Sequence, residues 1–138
     1  RDAGKFLKEI GIDADPKLII CETSADHPFV QTELMMPILA IVRVSNIEEA
    51  IKLAVSAEHG NRHSAHIHSK NIDNLTSFAR AVETTIFVKN APSYAGIGAG
   101  GEGYTTFTIA GPTGEGLTAA HSFTRSRRCV LVDGLHIV

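Results

Sequence analysis

The feature that most constrains the fold of this chain is an alternation of strand-like and helix-like segments between residues 37 and 89. Residues 37–44 are nearly all apolar and β-branched, as expected for a strand buried on both faces of a parallel sheet. Residues 64–69 and 84–89 are further strand-like runs, and helical periodicity fills the intervals between the three runs. This β-α-β-α-β order predicts crossover units, and therefore an α/β fold with a mainly parallel twisted sheet flanked by helices.

Both predicted helices carry start signals. Ser45 and Glu48 have the S-x-x-E spacing of a capping box, and Gly60 is placed to end that helix. Asn71 can cap the second helix, because its side chain can accept from backbone N–H groups that the first turn leaves unpaired. The predicted buried stripe of the second helix consists of Ile72, Leu75, Phe78, Ala79 and Val82.

The sequence on either side of this region has a different character. Upstream, residues 2–10 predict an amphipathic helix capped by Asp2, and residues 17–22 predict a short strand. Downstream, residues 90–116 form a glycine-rich stretch that exceeds the usual length of a connection, and long ordered loops tend to be functional. Residues 118–132 return to a β-prone composition.

Length, charge and cysteine count exclude several classes of protein. The chain has 138 residues, so one domain is expected, and its formal net charge of -2 gives no basis for a nucleic-acid surface. No apolar run approaches the roughly 20 residues that a membrane-spanning helix requires. Two cysteines are too few for a disulfide scaffold and indicate a reducing, cytoplasmic setting. Cys21 and Cys129 both lie in apolar runs and are predicted to be buried core thiols.

Two clusters of residues are of types that often bind ligands, one of glycines and one of histidines. Their spacing alone does not establish a binding site in either case. The glycines of residues 96–103 follow a strand, but neither a P-loop nor a dinucleotide fingerprint is complete. Tight turns near a packed surface or a ligand are therefore favoured over direct phosphate binding. A closed zinc site usually needs cysteine or carboxylate ligands, so polar histidines around a strand edge are favoured for the histidine cluster, and a metal site is the weaker alternative. This cluster consists of His59, His63, His66 and His68.

Glu33 stands where a polar segment turns into the apolar run of residues 37–44. A carboxylate at such a junction can accept hydrogen bonds from the hydroxyls of a ligand, or it can simply be a solvated loop residue. The spacing of the residues leaves both interpretations open. Neither cysteine has polar neighbours suited to a nucleophile, and no G-x-S-x-G elbow is present, so no catalytic residue is predicted within the chain.

Several motifs in this chain resemble a known family. Residues 32–37 (TELMMP), a helix bearing E-E-A-I, residues 85–90 (TIFVKN) and the glycine loop follow the order of the C-terminal third of the aldehyde dehydrogenase superfamily. The resemblance is closer to its CoA-acylating branch, the acetaldehyde and propionaldehyde dehydrogenases of ethanolamine and propanediol utilisation. The motifs that carry the closer resemblance are HPFV (27–30), AEHGN (57–61), GGEGYTTFTI (100–109), PTGEG (112–116) and RRCVL (127–131).

The resemblance implies an oxidoreductase that converts a short-chain aldehyde, NAD and coenzyme A into acyl-CoA and NADH through a cysteine thioester. The nucleophilic cysteine of that family lies upstream of residue 1, so the chain alone is expected to be catalytically silent. The resemblance also implies that Glu33 contacts the ribose hydroxyls of NAD near the nicotinamide, with Met35 and Pro37 in the same cofactor site. The residues that it assigns to the aldehyde pocket are Asn90, Ser93, Ala99 and Phe107.

One departure from the family pattern has a predicted consequence for the substrate. Ala99 stands where the superfamily loop has phenylalanine, which predicts a roomier aldehyde pocket. The resemblance further divides the chain into residues 1–117, part of the catalytic domain, and residues 118–138, an oligomerisation segment that contributes a strand to an intersubunit sheet. An apolar strand without a partner in its own chain is an edge that needs covering.

The expected partners follow from this division of the chain. They are the missing N-terminal polypeptide, the aldehyde, and identical subunits in a dimer or tetramer, with no nucleic acid and no membrane. The resemblance implies a location in the cytoplasm or in the lumen of a bacterial microcompartment. The alternative function is a non-catalytic assembly or binding module derived from the same fold.

Overall fold

The computed structural model describes residues 2–101, 103–106, 109–110 and 116–134 of the chain. The chain divides into two compact units, each built from two separate stretches of sequence. Unit 1 comprises residues 1–60 and 71–83, and unit 2 comprises residues 61–70 and 84–138.

Unit 1 contains one parallel strand pair and four helices. Strand β1 (Ile19–Glu22) pairs with β2 (Ile38–Ile41), with Ile19 opposite Ile38 and Glu22 opposite Ile41. Helices α3 and α4 contact each other, and α4 buries Leu75, Phe78 and Val82. The helices of this unit are α1 (Ala3–Glu9), α2 (Pro28–Gln31), α3 (Ile47–Ala57) and α4 (Ile72–Val82).

Unit 2 contains a second parallel pair and the glycine-rich region. Strand β3 (Ser64–Ile67) pairs with β4 (Ile86–Lys89), with Ser64 opposite Ile86 and Ile67 opposite Lys89. Among its described residues, the buried apolar side chains are Ala65, Ile86 and Val88. Beyond β4 lie α5 (Ser93–Gly96), an antiparallel bridge of β5 (Ile109–Ala110) with β6 (Gly116–Leu117), and a 3-10 helix (Ala120–Phe123).

The order of strands and helices predicted between residues 37 and 89 is confirmed, and so are the strands at 17–22 and the helix at 2–10. Both main pairs are parallel, as the crossover pattern requires. Two short helices, α2 and α5, were not predicted. Each has only four residues, which is too short to show a periodic apolar pattern.

The cap of α3 was predicted one residue too early. Asn46, not Ser45, occupies the N-cap position, and its side chain accepts from the backbone N–H of Glu49 at 2.8 Å. The Glu49 carboxylate in turn accepts from the backbone N–H and the hydroxyl of Ser45, at 2.8 and 2.7 Å. The pKa of Glu49 is therefore held below its ordinary value, first by the Ser45 backbone N–H and then by the Ser45 hydroxyl.

The cap of α4 is as predicted, since Asn71 accepts from the backbone N–H groups of Asp73 and Asn74. The cap of α1 is not, because Asp2 makes no side-chain cap bond and instead pairs with Lys5 at 3.2 Å. The buried residues of α1 are Ala3 and Gly4. A β-carbon at Gly4 would lie 2.6 Å from the Asp15 carboxylate. The loop that follows α1 therefore packs closely against the helix at Gly4.

The prediction that residues 37–44 are buried on both faces is wrong for this chain. Alternate positions of β2 are exposed, with Leu39 at 50% and Ile41 at 42% of full accessibility. Ile20, on the paired strand, is 60% exposed. The apolar composition of this pair therefore exceeds what the described residues bury, and a surface outside them is needed to cover it.

Between residues 118 and 134 the chain forms no strand, and its one regular element is the 3-10 helix at Ala120–Phe123. The intersubunit strand expected there stays a prediction, because pairing would need a second chain. Cys129 lies in this segment and is exposed, which contradicts its expected burial. Cys21 is half-buried, and its thiol lies 3.8 Å from the Leu39 carbonyl. Across the described parts of the chain, no helix combines the length and apolarity that crossing a bilayer requires.

Candidate cofactor site and glycine loop

The three residues predicted to bind the cofactor line one groove. Its volume is about 610 Å³, and all of its lining residues lie between positions 29 and 42. Glu33, Met35 and Pro37 are among them, so the α2–β2 connection and the start of β2 form the site together. The groove thus has an apolar floor with one carboxylate.

Glu33 is exposed, and no hydrogen bond or ion pair joins it to another of the described residues. A free carboxylate has two oxygens that can each accept from a hydroxyl, as a ribose diol requires. Met35, two residues on, is 89% exposed and has a left-handed backbone (φ 50°). A non-glycine residue rarely adopts this conformation, and such residues concentrate at ligand sites.

The segment that carries Glu33 is anchored at both ends. Downstream, the Pro37 carbonyl accepts from the Ile19 backbone N–H at 2.9 Å, which adds a bond to the β1–β2 ladder. Upstream, the Gln31 side chain donates to the Ala25 carbonyl at 2.6 Å. The His59 ring lies with Nε2 3.1 Å from the Gln31 carbonyl oxygen. Residues 32–36 therefore connect two anchored residues, Gln31 upstream and Pro37 downstream.

Sequence patterns gave no signal for the contact between Gln31 and His59. The two residues are 28 positions apart, so neither helical nor strand periodicity relates them. The histidines that are close together in the sequence have different surroundings in the structure. His63 Nδ1 lies 2.7 Å from the Ser64 hydroxyl, while His66 is an exposed position of β3. Within the described residues, no three or more His, Cys, Asp or Glu side chains come together in a group that could hold a metal ion.

Asn90, in the predicted aldehyde pocket, forms a structural tie at the end of β4. Its side-chain oxygen accepts from the Ser69 backbone N–H and its side-chain nitrogen donates to the Ser69 carbonyl, both at 2.8 Å. Its backbone is left-handed, with φ 52°. Asn tolerates this conformation better than most residues, and the side chain extends the β3–β4 pairing by one step.

The glycine loop is closely packed where it meets β4. A β-carbon at Gly96 would overlap the Ile86 side chain and lie 2.9 Å from Val88 Cγ2. At Gly98, with φ 89°, it would lie 2.7 Å from the Tyr104 carbonyl oxygen. These contacts support the interpretation that the glycines permit tight turns against a packed surface.

Two other residues predicted for the aldehyde pocket, Ser93 and Ala99, lie in the described part of this region. Ser93 begins α5, and Ala99 is exposed and donates its backbone N–H to the Tyr94 carbonyl at 2.9 Å. Phe107 lies outside the described residues. The roles of Asn90, Ser93 and Ala99 towards an aldehyde remain predictions.

The class of protein to which the chain belongs is shown by comparison with family models. The aldehyde dehydrogenase family profile matches residues 14–126, and the chain belongs to the aldehyde dehydrogenase family.

Within this family, the chain is similar to several aldehyde dehydrogenases. The chain is 56% identical over 140 residues to the acetylating acetaldehyde dehydrogenase EutE of Salmonella typhimurium, a match that covers 100% of this chain and 30% of the relative. It is 60% identical to propionaldehyde dehydrogenase of Rhodopseudomonas palustris, solved with bound CoA and an acylated cysteine. That structure matches with a TM-score of 0.86 over 94% of this chain and 30% of the other.

A third relative comes from a defined cellular assembly. It is a propionaldehyde dehydrogenase from the fucose utilisation bacterial microcompartment of Clostridium phytofermentans, 58% identical with a TM-score of 0.87. The match covers 98% of this chain and 32% of that one. The chain thus spans about 30% of the length of the first curated relatives it matches.

Proposed function

We propose that this chain forms the nicotinamide-side wall of a CoA-acylating, NAD-dependent aldehyde dehydrogenase. The protein would convert a short-chain aldehyde, NAD and coenzyme A into acyl-CoA and NADH through a cysteine thioester. The observation that carries the proposal is the groove in which Glu33, Met35 and Pro37 meet, in a chain 56–60% identical to acylating relatives. The nucleophilic cysteine would lie in polypeptide outside these 138 residues.

The residues of the groove fit a dinucleotide. The uncommitted Glu33 carboxylate would accept from the ribose hydroxyls, and the exposed Met35 side chain would pack beside the nicotinamide. When bound there, NAD supplies the acceptor for the hydride that leaves the substrate carbon. Residues of the glycine loop, with Asn90 and Ser93, would contribute to the aldehyde pocket.

The C-terminal segment supports assembly into a homo-oligomer. Val130 is 77% exposed and Val132 is 83% exposed, beside the exposed side chain of Leu131. Three consecutive exposed aliphatic residues, in a segment that forms no regular secondary structure here, favour contact with a second subunit. We therefore propose that residues 118–138 are the oligomerisation segment and residues 1–117 part of the catalytic domain.

The test uses the full-length protein that carries this sequence. Purified enzyme should reduce NAD only when both a short-chain aldehyde and CoA are present, and it should release acyl-CoA that mass spectrometry identifies. The isolated 138-residue chain should show no turnover under the same conditions. Aldehyde oxidation that is independent of CoA would contradict the acylating assignment, and turnover by the isolated chain would contradict the location of the nucleophile. Inactivity of both, together with retained self-association, would favour the assembly module.

The cellular location of the full-length protein is part of the same proposal. The relative from Clostridium phytofermentans belongs to a bacterial microcompartment, and we place the present enzyme in such a lumen or in the surrounding cytoplasm. Fractionation of cells of the source organism decides between them, because an encapsulated enzyme co-sediments with intact shells and is released when they are broken.

A further inference from the structure

We propose that His59 is a positioning residue that holds the Glu33 segment in its binding conformation. The inference rests on the proposed role of Glu33 towards NAD. It goes beyond that role because His59 belongs to the end of α3, in a different element from the groove. Nothing in the sequence pattern links it to the cofactor.

The contact between His59 and Gln31 has a fixed direction. Nε2 lies 3.1 Å from the Gln31 carbonyl oxygen, and a carbonyl oxygen can only accept, so Nε2 must carry the hydrogen. The His59 ring is therefore the donor in this contact, and the Gln31 carbonyl is the acceptor.

The backbone at His59 supports a selected role for the ring. The residue follows α3 with φ 55°, and Gly60 continues with φ 77°. A left-handed backbone is unfavourable for a residue with a β-carbon, and glycine or asparagine is the usual choice at a helix end. Histidine at this position directs its ring from the C-terminal end of α3 to the last residue of α2.

Gln31 receives three restraints, and His59 supplies the one from outside the α2 region. The Gln31 backbone N–H donates to the His27 carbonyl at 3.2 Å, and its side chain donates to Ala25. Two bonds hold the peptide group that joins Gln31 to Thr32: the Thr32 N–H donates to the Pro28 carbonyl at 3.0 Å, and the His59 ring contacts the Gln31 carbonyl oxygen from outside α2. Glu33 is the residue after Thr32. A rotation of the peptide group between Gln31 and Thr32 would therefore displace the Glu33 carboxylate.

Glu33 has no brace of its own. No side-chain hydrogen bond to Glu33 is present among the described residues, and its neighbour Met35 is almost fully exposed. The position of the carboxylate therefore depends on the two ends of residues 32–36, and His59 adds to the upstream end its one restraint from outside the α2 region. An incorrectly placed carboxylate would weaken NAD binding while leaving the CoA and aldehyde sites intact.

The test compares His59→Asn and His59→Gln in the full-length enzyme. Asparagine accepts the left-handed backbone but is too short to reach Gln31, whereas glutamine retains an N–H donor at greater reach. His59→Asn should raise the KM for NAD roughly 2- to 12-fold, the effect of one hydrogen bond, with the KM for CoA unchanged. His59→Gln should restore part of the loss.

The matched control is Glu83→Asn at the end of α4. Glu83 is also a left-handed residue that follows a helix of unit 1 (φ 47°), and it lies outside the groove. This variant should leave the KM for NAD unchanged. An unchanged KM in His59→Asn, an equal rise in both KM values, or an equal effect in the control would overturn the inference.

Glu33→Gln, measured in the same assay, tests the proposed NAD contact of Glu33 separately from the proposed positioning role of His59. If this variant raises the KM for NAD and His59→Asn does not, the positioning role fails and the cofactor site stands. If Glu33→Gln leaves the KM for NAD unchanged, the proposed cofactor contact itself is wrong, whatever the His59 variants show.

Discussion

Asn90 and Ser69 are joined by two hydrogen bonds of 2.8 Å, in which the side-chain amide of Asn90 serves both backbone groups of Ser69. The amide thus takes the place of a backbone peptide and continues the β3–β4 pairing past its last strand residues. The glycine loop leaves β4 at this point, so the direction of the loop is set by a side chain.

Two replacements of Asn90 should separate the contribution of its two side-chain hydrogen bonds to stability from the cost of its left-handed backbone. Asn90→Gly keeps the backbone conformation and loses both bonds, which should cost about 1–2 kcal/mol at a partly solvated site. Asn90→Ala also loses both bonds but keeps a β-carbon at φ 52°, so it should cost roughly 1 kcal/mol more than Asn90→Gly. Urea unfolding of the full-length enzyme measures both. Equal midpoints for Asn90→Gly and the parent protein would show that the tie contributes nothing to stability.

Glu33→Gln should weaken NAD binding without affecting CoA. The amide keeps the size of the side chain but removes the charge, and hydrogen bonds to a charged acceptor are the stronger class. The KM for NAD should rise roughly 10- to 100-fold. A matched change is Glu48→Gln, which removes an exposed carboxylate on α3 outside the groove and should leave the KM for NAD at its original value.

Acid should loosen the first turn of α3 through Glu49. Its pKa in the folded chain lies below the ordinary value of 4.5, because Ser45 donates to the ionised carboxylate. A depressed folded pKa means that the stabilisation is complete above about pH 4.5 and disappears as the pH falls through the folded pKa. The protection factors of the amides in residues 45–51, which are the ratios of the intrinsic to the observed hydrogen-exchange rate, should fall over that interval.

Two variants check the assignment to Glu49. Glu49→Gln should abolish the extra pH dependence, because the amide does not titrate. Glu48→Gln should retain it, since the Glu48 side chain plays no part in the cap of α3. A pH response that follows Glu48 would contradict the observed cap.

Ala99→Phe should narrow the aldehyde pocket. Ala99 is exposed at the glycine loop, so a phenyl ring can be accommodated without disturbing its bond to Tyr94, which uses only the backbone. The ratio of kcat/KM for butyraldehyde to that for acetaldehyde should fall by roughly 10-fold or more, given the methylene discrimination of apolar pockets. An unchanged ratio would remove Ala99 from the determinants of chain length.

Local sequence signals were sufficient where one residue type serves one short-range purpose. Asn71 was predicted as the cap of α4 and forms that cap. The cap of α3 was misplaced by one position because Ser45-Asn46 and Glu48-Glu49 present two overlapping capping patterns. Only the backbone geometry at Asn46, which is extended while residue 47 is helical, selects between them.

The sequence by itself determined the alternation of strands and helices, because periodicity 2 and periodicity 3.6 are properties of contiguous residues. It also carried the family motifs that single out Glu33. The tertiary structure decided which distant groups meet: the ring of His59 at the Gln31 carbonyl, the amide of Asn90 at Ser69, and the β2 face that stays uncovered. Such contacts depend on how the chain returns upon itself, and no local pattern of side chains encodes that distance.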